Sequence, residues 1–261
     1  MSAAERIQLA HGGGGRLMAE FIESQIRSRF GNGPLRDLPD AARLPWSGSA
    51  VLFTTDSYVV QPRSFPGGDL GSLAVHGTVN DLAVSGARAR WLSLSLILEE
   101  GVPLSEVEQV LDSAAAAARA CGVVIATGDT KVVGRGQCDG LFVNTAGIGE
   151  PIAGYVLSRE RIRPGDRVLV SGPIGDHGLA VMAARERIAL PGGGPVSDSA
   201  PVVALVEAAA SLAAGVHWMR DPTRGGLAAA LNECARGQPW GIELIEERIP
   251  VAPATGALAE L

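Results

Sequence analysis

The strongest constraint on the fold is a strand–helix–strand pattern in the middle of the chain. Residues 91–98 alternate leucine with serine, which is typical of a half-buried strand. Residues 105–121 carry apolar side chains at helical spacing, and Ser105 with Glu108 predicts a capping box at the start of this helix. Residues 123–127 then form a second strand. A helix between two strands is the building unit of sheets covered by helices, so we predict an α/β (α+β) fold.

The same alternation continues on both sides of this unit. We predict further helices at residues 16–30, 72–85, 201–214 and 225–236, a buried strand at 51–60, and further strands at 140–149, 164–172 and 241–251. The sequence GDTK at 128–131 is predicted to form a turn after the strand at 123–127. We place an N-terminal domain at 1–155 and a C-terminal α/β domain at 156–261. The last residues resemble the opening of another helix, so we expect the second domain to be incomplete and the natural chain to be longer.

Composition excludes several classes of function. The 261 residues carry a net charge of −6 and only 4% aromatic side chains, which argues against binding to nucleic acid or to anionic membranes. No apolar run approaches the roughly 18 residues of a membrane span, and the N-terminus lacks the pattern of a signal peptide. The three cysteines have no zinc-binding spacing, and their odd number fits the reducing environment of the cytoplasm.

A run of glycines directly precedes the first predicted helix. It consists of Gly12, Gly13, Gly14 and Gly15. Consecutive glycines allow successive backbone N–H groups to point at one anion, and a helix N-terminus adds partial positive charge. The run therefore fits a phosphate-binding loop, although a flexible glycine linker would have the same composition.

Three aspartates stand in comparable settings near predicted strands and turns. Asp56 and Asp129 follow apolar strand residues, and Asp81 lies in the segment TVNDLAVSGA. Ligands gather at the ends of strands in α/β sheets, where converging carboxylates would repel one another unless a cation lay between them. Mg²⁺ prefers such oxygen ligands and bridges them to phosphates. Each aspartate alone is better explained as a turn residue or an exposed helix residue, but the set together with the glycine run favours a metal site.

The single lysine, Lys131, lies two residues beyond Asp129. The chain otherwise uses 21 arginines, so this one lysine is informative. A lysine beside a metal–phosphate site can stabilise the charge that develops during phosphoryl transfer, although a surface position near a turn would also accommodate it.

Two further glycine-containing turns precede predicted helices. They are SGPIGDHG at 171–178 and DPTRGG at 221–226, the second of which opens with Asp221. Each fits either an anion site at a helix N-terminus or a tight structural turn.

Several of these segments together resemble one family. The segments are HGGGGR, TTDSYVVQPRSFPGGDLGSLAVHGTVNDLAVSGA, TGDTKVV, SGPIGDHG and MRDPTRGG. In combination they resemble the HypE family of hydrogenase maturation factors, which belongs to the ATP-binding superfamily of aminoimidazole ribonucleotide synthetase. The resemblance covers essentially the whole chain. It implies two α/β domains, a homodimer joined through N-terminal strands, and ATP bound beside that interface.

The resemblance also implies roles for individual residues. Asp56, Asp81 and Asp129 match positions that hold Mg²⁺, and Lys131 and Asp81 match catalytic positions. The positions implied to bind ATP are Gly12, Gly13, Gly14, Gly15, Asp56, Asn80, Asp81, Asp129, Lys131 and Asp221.

The implied reaction is the ATP-dependent dehydration of a carbamoyl group on a C-terminal cysteine to a thiocyanate, which supplies cyanide for [NiFe]-hydrogenase. The implied partners are a HypF-type carbamoyltransferase and a HypC–HypD-type iron scaffold. The chain departs from the family in one respect, because none of Cys121, Cys138 and Cys234 lies in a terminal tail. Two alternatives therefore stay open. One is another enzyme of the superfamily, of the selenophosphate synthetase or thiamine-phosphate kinase type, and the other is a non-catalytic nucleotide-binding scaffold.

Overall fold

A four-stranded mixed sheet organises the N-terminal half of the molecule. The structure, a computed structural model, describes residues 6–12, 16–31, 46–48, 50–188 and 193–260. The strands are β1 (Leu52–Tyr58), β2 (Ser64–Phe65), β3 (Gly68–Asp69), β4 (Ala87–Glu99), β5 (Val124–Val133) and β6 (Leu141–Pro151). The sheet has the order β1-β6-β4-β5, in which only β4 and β5 run parallel, while β2 and β3 form a separate two-stranded pair.

Helices cover one face of this sheet and make up most of the regular structure after it. The α-helices are α1 (Arg16–Phe21), α2 (Ser28–Phe30), α3 (Leu70–Val84), α4 (Leu104–Ala120), α5 (Asp176–Glu186), α6 (Val203–Ala208), α7 (Gly226–Ala235) and α8 (Pro253–Ala259). A π-helical segment, Ile22–Arg27, joins α1 to α2. Short 3-10 turns lie at Leu9–Gly12, Arg159–Arg161, Ala209–Gly215 and Glu246–Arg248. No helix in the described ranges is both long and apolar enough to cross a membrane.

The two faces of the sheet differ. On one face α3 and α4 pack on the strands, and alternate leucines of β4, such as Leu92 and Leu96, are buried beneath them. The side chains of the opposite face, here called the open face, include Phe53 on β1, Ser95 and Ile97 on β4, and Asn144 on β6. Phe53 is 67% exposed and Ile97 41% exposed, so this face carries uncovered apolar surface.

The central elements confirm the predicted alternation, but three details are wrong. The helix predicted at 16–30 and the half-buried strand at 91–98 both form. The capping box predicted at Ser105 does not, because α4 begins after Pro103 without a side-chain cap. A capping box lies instead at the start of α3, where the Asp69 carboxylate accepts the backbone N–H of Ser72.

The predicted turn GDTK is also wrong, and this error bears on the site. These residues continue β5, with Asp129 paired to Ser95 and Lys131 paired to Ile97 of the long strand β4. A partner strand of 13 residues extends the ladder beyond the apolar run that suggested the strand's end. The strand predicted at 51–60 forms as β1 but is not fully buried, because it lies at the sheet edge and alternates between half-buried and exposed side chains.

The second half of the chain departs most from expectation. Neither residues 164–172 nor 241–251 form a strand, since no described strand pairs with them. Leu169, which the apolar run would place in a core, is 91% exposed. The helix predicted at 201–214 divides into α6 and a 3-10 turn, whereas α7 forms close to its predicted bounds.

Candidate functional site

A cleft of about 350 Å³ lies where the two halves of the molecule meet. Its walls come from β1, from the C-terminal end of α3, and from the turn at residues 220–224 that precedes α7. Asp56, Asp81 and Asp221 line it, one from each of these three elements. The fold therefore brings together three acidic residues that are far apart in sequence.

The first two aspartates are held by hydroxyl groups of β1. The Thr54 hydroxyl donates to the Asp81 carboxylate at 2.8 Å, and the Tyr58 hydroxyl donates to the Asp56 carboxylate at 3.0 Å. Burial and the negative charge of Asp81 raise the pKa of Asp56. Burial likewise raises the pKa of the Tyr58 hydroxyl, so this group remains a proton donor to Asp56. The sequence pattern did not select Thr54 or Tyr58. The partner of Thr54 is 27 residues away in the chain, and the partner of Tyr58 shows itself only once β1 places both side chains on one face.

Asp221 stands at the start of a tight turn. The backbone N–H of Thr223 donates to the Asp221 carbonyl at 3.0 Å, and the N–H of Gly226 donates to the Thr223 carbonyl at 3.0 Å. Burial, followed by the charge of Asp81, raises the pKa of Asp221 to about 6. The carboxylates of the cleft thus repel one another, and a cation or donor groups of a ligand would relieve that repulsion.

Two arginines share the cleft with these acids. Arg220 forms an ion pair with Glu233 on α7 at 3.3 Å. Arg224 lies four residues further along the chain and also lines the cleft. Its positive charge lowers the pKa of Asp56, but burial raises that pKa by more. The segment MRDPTRGG drew attention to this turn, but only Asp221 was selected from it.

The donor chemistry of the cleft fits Mg²⁺ in part. Within the described ranges no three His, Cys, Asp or Glu side chains stand close enough to hold a metal ion by themselves. Mg²⁺ in nucleotide sites usually takes only one or two carboxylates and completes its shell with phosphate oxygens and water. Asp56 and Asp81 fit that smaller role. The expected triad with Asp129 does not form within one chain.

Asp129 and Lys131 lie at the other edge of the sheet. They are exposed on β5, which is separated from β1 by β6 and β4, or about 14 Å at the usual strand spacing. The register aligns Asp129 with Ser95 and, through it, with Asn144 on the open face. Asp56, in contrast, points to the helix-covered face. Both residues remain predicted ATP ligands, but not partners of Asp56 in the same chain.

The glycine run begins near the same edge. The turn Leu9–Gly12 packs against β5, and His11 in it is buried, with its Nδ1 accepting the backbone N–H of Gln8 at 2.9 Å. Gly13, Gly14 and Gly15 lie outside the described residues.

Asn80 has a defined structural partner. Its side-chain amide donates to the carbonyl of Ala200 at 2.9 Å, and its side-chain oxygen accepts the N–H of Val202 at 2.8 Å. Contact with ATP, as predicted for Asn80, would require the side chain to leave these partners or to serve both.

The remaining candidate groups lie elsewhere. In the segment 171–178, Asp176 accepts a hydrogen bond from Thr255, and His177 contacts the Ser197 hydroxyl at 3.0 Å and packs edge-on against the ring of Phe65, so neither side chain lines the cleft. All three cysteines are free thiols, and burial raises the pKa of each.

Comparison with known proteins identifies the family. The protein-family model called AIR synthase related protein, N-terminal domain, matches residues 39–150. The family model called AIR synthase related protein, C-terminal domain, matches residues 163–259. A curated carbamoyl dehydratase HypE from Rhizobium leguminosarum bv. viciae is 49% identical over 98% of this chain and 73% of its own length. The chain belongs to the HypE family. This confirms both the resemblance and the two-domain α/β fold expected from it.

Solved HypE structures have the same fold. A hydrogenase maturation protein HypE in complex with ATP superimposes with a TM-score of 0.91 at 45% identity, covering 97% of this chain and 75% of that one. HypE in a HypE–HypF complex gives a TM-score of 0.78 at 43% identity, covering 92% and 77% respectively. Members of the HypE family thus include one solved with ATP and one solved with HypF.

Proposed function

We propose that this chain is an ATP-dependent carbamoyl dehydratase that supplies the cyanide ligand for [NiFe]-hydrogenase maturation. The observation that carries the proposal is the cleft shared by Asp56, Asp81 and Asp221, in a fold that matches an ATP-bound HypE at 45% identity. The substrate is a carbamoyl group on the sulfur of a C-terminal cysteine, and the product is a thiocyanate. The last cysteine of residues 1–261 is Cys234, which is buried in α7.

The reaction consumes ATP because the oxygen of a carboxamide is a poor leaving group. In the first step the carbamoyl oxygen attacks the γ-phosphorus of ATP, the bond from that phosphorus to the bridging oxygen breaks, and ADP leaves. In the second step the carbon–oxygen bond breaks and phosphate leaves with the bonding electrons. The nitrogen gives up its two protons as the C≡N bond forms. The protein has to position the phosphates and stabilise the charge on the transferred group.

Magnesium accompanies ATP in this proposal. Asp56 and Asp81 would hold it, since their carboxylates face one cleft and each is oriented by a hydroxyl group of β1. A bound divalent ion neutralises phosphate charge and orients the phosphates. Asp221, on the opposite wall, would face the same phosphates through the ion or through bound water.

A homodimer formed through the open face completes the proposal. Exposed apolar side chains such as Phe53 and Ile97 support it, because contact between two such faces would remove them from water. Asp129 and Lys131 align with this face at the β5 edge. A dimer joined through this face would therefore place Asp129 and Lys131 at the interface between the two copies.

The partners follow from the same reaction. A HypF-type carbamoyltransferase would load the carbamoyl group, in line with the relative solved as a HypE–HypF complex. A HypC–HypD-type scaffold would receive the cyanide on iron. We place these steps in the cytoplasm, where free thiols such as those of this chain persist.

The test is the binding and hydrolysis of ATP with and without Mg²⁺. We expect the unsubstituted chain to bind ATP only when Mg²⁺ is present, and Asp81→Asn and Lys131→Ala to weaken binding by about tenfold or more. Asp112→Asn is the matched control, because Asp112 lies on α4 in an exposed ion pair with Arg29. Mg²⁺-independent binding, or no binding, would contradict the proposal. Binding without hydrolysis would favour the non-catalytic scaffold.

A further inference from the structure

We propose that Arg224 is a catalytic residue that contacts the phosphoryl group while it moves from ATP to the acceptor oxygen. This inference rests on the proposed function, because it assigns a role within that ATP cleft. It adds a residue that neither the family resemblance nor the sequence patterns selected.

The first observation is the balance of charge in the cleft. Three aspartates line it, and its described lining contains two cations, Arg220 and Arg224. Arg220 is engaged by Glu233 at 3.3 Å on the surface of α7. Arg224 lines the same cleft as Asp56 and has no hydrogen bond or ion pair with any residue of the described part. It is therefore the cation that remains available to an incoming anion.

The second observation is how the backbone presents this side chain. Arg224 is followed by Gly225 and Gly226, both with positive φ, of 75° and 58°. A Cβ on Gly225 would lie 2.6 Å from the Cβ of Ala229, so this position excludes other residues. The bond from the Gly226 N–H to Thr223 closes the same turn. The turn thus places the side chains of Asp221 and Arg224 at the edge of the same cleft.

The third observation concerns the alternative cation. Lys131 lies on β5, across the sheet from Asp56 and about three strand spacings away. Within one chain it is out of reach of this cleft. Arg224 is the cation that the same chain supplies. Its planar guanidinium can bond two oxygens of a phosphoryl group through a rigid fork of N–H donors, whereas the ammonium of a lysine is a point charge without that fixed geometry.

The step assigned to Arg224 is the transfer itself. As the acceptor oxygen bonds to the γ-phosphorus and the bond to the ADP oxygen breaks, negative charge spreads over the three remaining oxygens of the phosphoryl group. The guanidinium remains protonated throughout and donates N–H bonds to these oxygens. Because the charge distribution changes most in the transition state, the contact strengthens there relative to bound ATP.

The test separates binding of the transition state from binding of the nucleotide. Affinities for ADP alone, and for ADP with aluminium fluoride as a mimic of the transferred group, are measured by calorimetry in Mg²⁺. For Arg224→Ala we expect about a 100-fold loss of affinity for the ADP–aluminium fluoride complex and less than about a threefold change for ADP. Arg224→Lys should recover part of the loss. The control is Arg236→Ala, at the opposite end of α7 and exposed.

Each outcome decides the question. Equal losses for both ligands, or no loss for either, would overturn the role of Arg224 and leave the proposed function standing if the unsubstituted chain binds ADP with Mg²⁺. An unsubstituted chain whose affinity for ADP does not rise with aluminium fluoride would also overturn it. Failure of the folded, unsubstituted chain to bind any nucleotide would overturn the proposed function itself, and the role of Arg224 with it.

Discussion

Replacing Gly71 with alanine should destabilise the N-terminal half strongly, although alanine is the better helix former. Gly71 lies in the first turn of α3, where a Cβ would stand 2.1 Å from the carbonyl oxygen of Val110 and 2.9 Å from the backbone N of Ala114, both on α4. Real Cβ atoms essentially never approach closer than 3.0 Å, so the helices would have to separate by about 0.9 Å.

The helices cannot separate freely, because Ser113 on α4 donates to both carboxylate oxygens of Asp69, the N-cap of α3, at 2.6 and 2.7 Å. Overpacking costs about 1–3 kcal/mol, and weakening a hydrogen bond to a charged group costs about 1.5–3 kcal/mol. The helix propensity of alanine offsets about 1 kcal/mol of this. The net expectation for Gly71→Ala is a loss of about 3 kcal/mol, or about 6–12 °C in the melting temperature.

Thermal unfolding followed by far-ultraviolet circular dichroism measures this difference. Gly178→Ala is the matched control, because Gly178 lies in α5 with nothing within 4 Å of the position of a new Cβ. At this position only the higher helix propensity of alanine should act, and it should raise the free energy of unfolding by about 0.5–1 kcal/mol. The two substitutions should therefore have opposite signs. A Gly71→Ala variant as stable as the unsubstituted protein would refute the close contact between α3 and α4.

Three further outcomes are expected. Thr145→Val should cost about 1–2 kcal/mol in urea unfolding, because it leaves the buried Thr78 hydroxyl without its partner; an unchanged midpoint would contradict this. Without nucleotide, the contribution of Asp221 to stability should fall as pH rises from about 4 to about 6, because its raised pKa makes this group bind more protons in the folded state than in the unfolded state in this range. The Asp221→Asn variant should then be more stable than the unsubstituted protein at pH 7 and lose that advantage at pH 4. A difference in stability between the two proteins that does not change with pH would exclude Asp221 as the cause. Phe53→Lys should shift a dimer towards monomer in light scattering, whereas an unchanged mass would exclude the open face as the interface.

The secondary structure could be predicted where the apolar pattern of a segment matches the surface against which it packs. Alternating leucines in β4 identify a strand with one buried face, and the helices on either side follow from apolar spacing. The end of β5 was not predictable, because Asp129 and Lys131 are polar and continue the strand only through pairing with β4. The strands expected at 164–172 and 241–251 fail for the converse reason, since an apolar run forms a strand only when another strand pairs with it.

The sequence allowed most residues of the site to be selected, but it did not show which of them lie together in the folded protein. Asp56, Asp81 and Asp221 were all selected from the sequence, and the structure places them in one cleft. The sequence grouped Asp129 with Asp56 instead, because both follow apolar runs, and nothing local indicates which face of the sheet a residue will occupy. The neighbouring hydroxyl of Tyr58 and the guanidinium of Arg224 become visible only through the tertiary contacts.

The two hydrogen bonds of Asn80 constrain how the cleft can move. They join α3 to the segment before α6, immediately beside Asp81, while Asp221 is carried by the chain that follows that segment. Because this point is fixed, the halves cannot separate in parallel while both bonds remain. The two halves are also joined near β2, where the Ser197 N–H donates to the Pro66 carbonyl at 2.8 Å and Arg185 donates to the Gln61 carbonyl at 3.0 Å. Motion that opens the cleft for nucleotide exchange would therefore be confined to its Asp221 side, while Asp81, next to the Asn80 bonds, hardly moves.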